Sequence, residues 1–295
     1  MATSDDPQTQ PAELPGDART TGPGEAFPVG GPSAPDAPVL VERRGHVLLI
    51  GVNRAHKRNA WDLATIAGVG AAYQQLADDP ALRVGVVHGV GAHFSAGLDL
   101  AEVGPVVATQ GPAALSGGQS VDPFGVWGPP VPKPIVMAVQ GIAYTLSIEL
   151  ALAADIVVAA SDVRFAQLEV GRGIMPFGGA TFRAQSSLGW GNAMRFLLTA
   201  DEFGAQEALR IGLVQAVVEP GRQLDEALAI AERIAAQAPL GVQASLANAR
   251  VARSQGPDLA VAHLRDMLPQ VLASADAAEG LASFVQRRAA RFEGR

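Results

Sequence analysis

The sequence predicts an α/β fold made of strand–strand–helix units and closed by a helical C-terminal tail. Three observations predict it. Short runs rich in Val, Ile and Leu are bounded by glycine-containing turns and followed by segments with apolar residues at helical spacing. The same alternation starts again at Pro134–Gly141. From Asn192 onward, segment after segment reads as helix. This order does not fit a simple doubly wound βαβ pattern.

The elements follow in chain order. Val39–Arg43 and His46–Val52 read as strands joined at Arg44-Gly45. Leu63–Ala77 reads as an amphipathic helix. Strand Arg83–His88 leads into a glycine-rich loop, Gly89–Gly97. Residues 101–130, rich in Gly, Pro and Ala, read as a loop or flap carrying Phe124 and Trp127. Strand Ile135–Val139 passes through Gly141 into helix Leu146–Ala154. Strands Asp155–Ala159 and Val163–Ala166 precede helix Ala180–Leu188. The tail is expected as helices Asn192–Leu198, Ala205–Ile211, Leu224–Gln237, Gly241–Arg253, Asp258–Ala273 and Asp276–Arg291. Pro269 is expected to kink or split the fifth of these. One late strand is expected at Leu213–Val218.

Composition narrows the function. The 295 residues are 48% hydrophobic, enough for a large core. No apolar run reaches the length that crosses a membrane, so no membrane role is expected. With no cysteine, disulfides, thiolate metal sites and thiol nucleophiles are excluded, which fits a reducing, cytoplasmic setting. The net charge of −7 and the lack of a basic stripe argue against nucleic acid. The dense cationic groups, Lys57-Arg58 and Arg287-Arg288-Arg291, suit one small anionic ligand. Five scattered histidines show no metal spacing, so no metal is expected. Residues 1–37 hold six acids (Asp5, Asp6, Glu13, Asp17, Glu25, Asp36) against Arg19 and few large apolar side chains. They are expected to be a disordered extension without a signal or transit peptide.

Two glutamates carry the strongest chemical signal. Glu149 lies in Ile148-Glu149-Leu150-Ala151-Leu152, and Glu169 closes Phe165-Ala166-Gln167-Leu168-Glu169. A carboxylate in such surroundings loses solvation, so its pKa rises and it can hold or take a proton near neutrality. Two of them suggest water activation and proton delivery on one substrate; simple pairing with a cation is the plainer alternative for each. Gly89-Val90-Gly91 starts like a dinucleotide fingerprint, but Phe94 stands where its third glycine belongs. Ser95 lacks the G-x-S-x-G context of a nucleophile elbow. The turn Phe94–Leu100 and the start of the helix at Leu146 could each offer backbone N–H groups to a ligand oxygen.

Five segments in order then make the chain recognisable. They are Val52–Ala60, His93–Leu100, Pro134–Gly141, Glu149–Asp155 with Phe165–Glu169 and Gly173–Thr181, and Glu279–Arg295. In these the chain resembles the crotonase (enoyl-CoA hydratase/isomerase) superfamily, from about Val39 to its end. The resemblance implies a crotonase/ClpP-like spiral of ββα units over 38–200. It implies a helical trimerisation region over 201–295, forming a homotrimer or a dimer of trimers (a hexamer). It implies a lyase of fatty acid metabolism that adds water across the 2,3 double bond of a trans-2-enoyl-CoA. The CoA thioester would be the substrate, and no separate cofactor is implied. Glu149 would activate water and Glu169 would protonate C2. The N–H groups of Leu98 and Leu146 would form the oxyanion hole. Lys57, Arg58, Ala60, Ala96, Asp99, Leu100 and Arg287 match positions near CoA. Other reactions of the superfamily (isomerisation, dehydration, thioester hydrolysis) and non-catalytic acyl-CoA binding remain alternatives. One departure stands out: Tyr144-Thr145-Leu146-Ser147 replaces the usual glycine-rich run. There Thr145 could cap the helix, and the Leu146 side chain is expected to enter the acyl pocket or the core.

Overall fold

The computed structural model describes residues 36–116 and 121–295. The expected disorder of residues 1–35, and the expected loop at 117–120, lie outside the described residues. The chain opens with β1 (Val39–Arg44) and β2 (Val47–Val52), then α1 (Leu63–Asp78), β3 (Val84–Gly89) and α2 (Leu100–Gln110). β4 (Ile135–Val139), β5 (Ile142–Tyr144) and α3 (Leu146–Ala153) form the next unit. β6 (Ile156–Ala160), β7 (Arg164–Ala166) and α4 (Ala180–Leu188) repeat it. There follow α5 (Trp190–Thr199), β8 (Phe203–Gly204), α6 (Ala205–Ile211) and β9 (Ala216–Val218). Helices α7 (Gln223–Ala235), α8 (Pro239–Gln255), α9 (Pro257–Leu272) and α10 (Ala275–Gln286) complete the chain.

The repeat is a spiral. The large sheet is ordered β1-β2-β3-β4-β6-β9 and the small one β5-β7-β8, and from β4 onward each turn gives one strand to each. In the large sheet only β1 pairs antiparallel. Successive turns stack in register: Met137 on Val157 in the large sheet, Ala143 on Phe165 in the small one. Both faces of the large sheet are covered, as parallel strands require. Leu48, Ile50, Val87 and Met137 face the main core. Val47, Leu49, Val86 and Val136 face α7, whose Ala227, Ala231 and Ala235 let the helix approach closely.

Three expectations need correction. The loop expected over 101–130 contains α2, with Pro105 inside it. Gly104-Pro105 lowers helix propensity, but Val103 is buried and Val107 packs on the core, so tertiary contact prevails. The helix expected to reach Arg291 ends at Gln286, where Arg287 turns left-handed (φ 52) and Arg288 N–H closes on Ser283 O at 3.1 Å. The later chain folds back, with Glu293 and Gly294 N–H groups on the Asp276 carboxylate. The helix through Pro269 is not split there and continues to Leu272. The sequence also missed β5, a strand of only three residues.

The turn between β4 and β5 depends on one glycine. Gly141 has φ +57, and a Cβ there would collide with the Ala92 carbonyl. Gly141→Ala is expected to lower unfolding free energy by about 3 kcal/mol in urea titration, through strain and overpacking.

Candidate active site

The site forms where three turns of the spiral meet. A short turn over Ala55–Lys57 ends with Arg58 and Asn59 at φ 51 and 53. The fully buried Asn59 donates to Val90 O (2.9 Å) and His93 O (2.7 Å). Ala96 N–H donates to Arg58 O at 2.9 Å, and Ser95 Oγ donates to Asn59 O at 2.7 Å. This network fixes the glycine-rich loop. Ser95 therefore has a structural role, as a turn serine.

Ser95 then pairs with β5. Its N–H donates to Ile142 O, and its carbonyl accepts from Tyr144 N–H, both at 3.0 Å. The chain segments just beyond this pairing are Gly97-Leu98 and Thr145-Leu146. Neither the Leu98 nor the Leu146 N–H donates to an acceptor among the described residues. Leu146 opens α3, where unpaired N–H groups and the helix dipole favour negative charge.

Thr145 does not cap α3, contrary to expectation. Its backbone lies at φ 51, ψ −110, a strained conformation for a β-branched residue. Gly97 (φ +106) sits against it, and a Cβ on Gly97 would collide with Thr145 Oγ1. Thus the segment usually supplied by glycine is held here by a threonine packed on a glycine. The Leu146 side chain is buried in the main core and lines the cavities on both sides of it.

Glu149 projects from the fully apolar face of α3 and is 4% exposed. Its Oε1 accepts from Gly178 N–H (2.7 Å) and Ala180 N–H (3.2 Å), at the start of α4. Burial pushes its pKa up, while these N–H groups and the Arg183 charge oppose the rise. A Cβ on Gly178 would come within 2.6 Å of Glu149 Oε2, so this close approach requires glycine.

Glu169 begins a short turn after β7 and is 7% exposed. Its Oε1 accepts from Gln167 Nε2 at 2.9 Å, and its buried Oε2 has no partner. Burial first, and the Glu149 charge second, push its pKa up to about 7. Two carboxyls therefore share a site under different conditions. Two backbone donors favour the anion of Glu149, whereas Glu169 is poised to hold a proton at neutrality.

Both glutamates line one cavity of about 190 Å3, together with Ala96, Leu98, Leu100 and Leu146. A narrower apolar cavity of about 30 Å3 continues past Leu146 between Trp61, Phe124 and Phe177. The remaining residues singled out from sequence lie outside both. Lys57 and Arg58 are exposed on their turn, with Ala60 beside them. Asp99 faces Arg54 at 3.5 Å, ahead of α2. Arg287 is exposed at the end of α10. Sequence reasoning missed the Gly178–Ala180 cradle and the Gln167 donor. A Gly-Gly pair opening a helix was the available signal. No group of three or more His, Cys, Asp or Glu suited to a metal occurs among the described residues.

Known proteins resemble this chain in sequence and in fold. A sequence model of the enoyl-CoA hydratase/isomerase family matches residues 42–295. The chain is 34% identical over 269 residues to the enoyl-CoA hydratase EchA19 of Mycobacterium tuberculosis, covering 89% of this chain and 98% of that one. It is 34% identical over 255 residues to the crotonyl-CoA hydratase of Syntrophomonas wolfei, covering 86% and 97%. The crystal structure of a probable enoyl-CoA hydratase/isomerase from Mycobacterium abscessus superposes with a TM-score of 0.83. It has 47% identity and covers 88% of this chain and 100% of that one.

The raised pKa of Glu169 has a consequence for stability. Between its unfolded value near 4.5 and its folded value of about 7, the native state holds a proton that the unfolded chain has released. Stability is therefore lost as pH rises through that window, by about 3 kcal/mol for the shift alone. Glu169→Gln removes this ionisation. It is expected to raise Tm relative to the parent chain at pH 8 (about one unit above the folded pKa), with little gain near pH 5.

Proposed function

Because the chain belongs to the enoyl-CoA hydratase/isomerase family, we propose that it hydrates a trans-2-enoyl-CoA to a 3-hydroxyacyl-CoA. It is a crotonase-family enzyme of the spiral fold. The observation that carries the hydratase reading is the pair of buried glutamates on one cavity, unequally hydrogen-bonded.

In this reading the thioester carbonyl accepts from the Leu98 and Leu146 N–H groups. Negative charge grows on that oxygen as C3 is attacked, and fixed donors stabilise it without reorganisation. One such donor contributes on the order of 3 kcal/mol. Glu149, as the anion, takes a proton from water while the water oxygen bonds to C3. The C2–C3 π electrons pass to the thioester as an enolate. Glu169, in its protonated form, delivers a proton to C2 as the enolate collapses. The product is the 3-hydroxy thioester, and a proton moves from Glu149 back to Glu169 through solvent to reset the pair.

Ala96 and Leu100, which line the cavity, would contact the pantetheine end of the thioester. Lys57, Arg58 and Ala60, with Asp99 and Arg287 farther off, are assigned to the CoA nucleotide. In this reading the enoyl thioester and water are the only reactants, with no metal or added cofactor. A homotrimer or a dimer of trimers is part of the same reading. It is supported by the apolar side chains left bare on α9 and α10, such as Leu272 (66% exposed) and Phe284 (81%). A cytoplasmic location fits a chain without cysteine.

The test is loss of the conjugated absorbance of crotonyl-CoA, with 3-hydroxybutyryl-CoA identified as product. Glu149→Gln and Glu169→Gln are each expected to lower kcat by about 10²–10⁴-fold, with a much smaller change in KM. Release of free CoA without the hydroxy product would replace hydration with hydrolysis. The pH profile should be bell-shaped. Its high-pH limb is expected to fall as pH rises through about 7, because Glu169 must be protonated to act. A rate that stays flat from pH 6 to pH 9 would remove Glu169 from the acid role.

A further inference from the structure

Another cavity, of about 440 Å3, has Phe124 and the end of α3 in its wall. Its wall carries three arginines: Arg183 from α4, and Arg250 and Arg253 from α8. Arg250 reaches Val131 O (2.6 Å) and Asp155 (3.3 Å). Arg183 donates only to the carbonyls of Gly178 (3.3 Å) and Gly125 (3.0 Å). Arg253 donates to Ser187 Oγ at 3.1 Å. Neither Arg183 nor Arg253 has a carboxylate within 4 Å among the described residues. The nearby acids are already engaged. Asp122 accepts from the N–H groups of Phe124, Val126 and Trp127, and Glu149 from Gly178 and Ala180. Burial first, and the Arg253 guanidinium second, lower the Arg183 pKa, with a smaller push from Arg250, while the charges of Asp122 and Glu149 oppose the fall. A site of this kind gathers positive charge that an added anion would relieve.

Position supplies the second half of the inference. The narrow acyl cavity beyond Leu146 and the arginine cavity share Phe124 as a common wall. An acyl chain extending from Glu149 and Glu169 would run along the narrow cavity, which Asp122 also lines, and would have to displace or skirt Phe124 to meet the guanidiniums. We propose that the arginine cavity receives a carboxylate carried at the far end of the acyl chain, so that the favoured substrate class is an enoyl-CoA with a terminal acid. The inference rests on the hydratase reading and deepens it. Arginines serving only to clamp α4 and α8 to the core would confer no such preference.

Matched pairs of trans-2-enoyl-CoA substrates test it, one member ending in a methyl group and the other in a carboxylate, over a series of chain lengths. At one length or more, kcat/KM for the acid is expected to exceed that for its partner by about 10-fold or more, the worth of one charge-assisted contact. Arg253→Gln should bring that ratio toward one, and Arg253→Lys should keep part of it. Because the ratio is internal to each variant, a general loss of folded protein does not mimic the result. Hydration of the methyl-ended members with no preference for the acid at any length would overturn the inference and leave the hydratase reading standing. No hydration of any member would overturn both. Added glutarate that changes the rate on methyl-ended substrates, without any preference for acid-ended ones, would assign the cavity to a free acid and overturn the placement of the acyl terminus.

Discussion

The carboxylate of Glu149 at the head of α4 is the contact on which the site depends. Glu149 stands on a helix whose other side chains are apolar and mostly buried, Ser147 apart. An uncompensated charge in that place would cost several kcal/mol or stay protonated. The N–H groups of Gly178 and Ala180 offset this cost and fix the carboxylate in direction. The same contact explains why residue 178 has no side chain, and why α4 packs across α3. Arg183, one turn into α4, holds the Gly178 carbonyl and so braces the loop from its other side.

The spiral brings the remaining groups to that point. Each turn ends its strand on the small sheet and then releases a segment beside its neighbour. Gly97-Leu98, Thr145-Leu146 and Gln167–Glu169 are three such segments from three turns. Residues far apart in sequence thus become neighbours through backbone pairing, before any side chain is considered. The strained Thr145 marks where this geometry is tightest. Strain of this kind persists where surrounding structure over-determines the backbone, as the Gly97 contact does here.

The two glutamates were legible in the sequence because a charged residue inside an apolar run is out of place, and burial gives it a chemical meaning. The large-sheet strands were legible for a related reason: strands covered on both faces read as continuous runs of Val, Ile and Leu. Helix α2 was hidden by Gly104-Pro105, whose local preference is overridden by packing of Val103 and Val107. β5 was hidden by its length: Ile142 and Tyr144 favour a strand, but three residues are too few to show a period, and pairing with β7 defines it. The role of Thr145 was misread because capping assumes an extended backbone. At φ 51 its side chain turns to Gly97 and away from the α3 N–H groups. Lys57, Arg58 and Arg287 carry no packing signal; clustered charge alone made them candidates for an anionic ligand, and only the resemblance pointed to CoA.

Mutual influence between the two carboxyls is the central claim, and titration of Glu169 in the free protein tests it most directly. Infrared difference spectroscopy on protein with isotope-labelled glutamate would follow the buried carboxyl as pH is raised. The expected result is a carboxylic acid band that disappears near pH 7. It should be missing in Glu169→Gln and shifted to lower pH in Glu149→Gln, where the neighbouring charge is gone. Titration of Glu169 near its ordinary value of about 4.5, unchanged by Glu149→Gln, would contradict the claim.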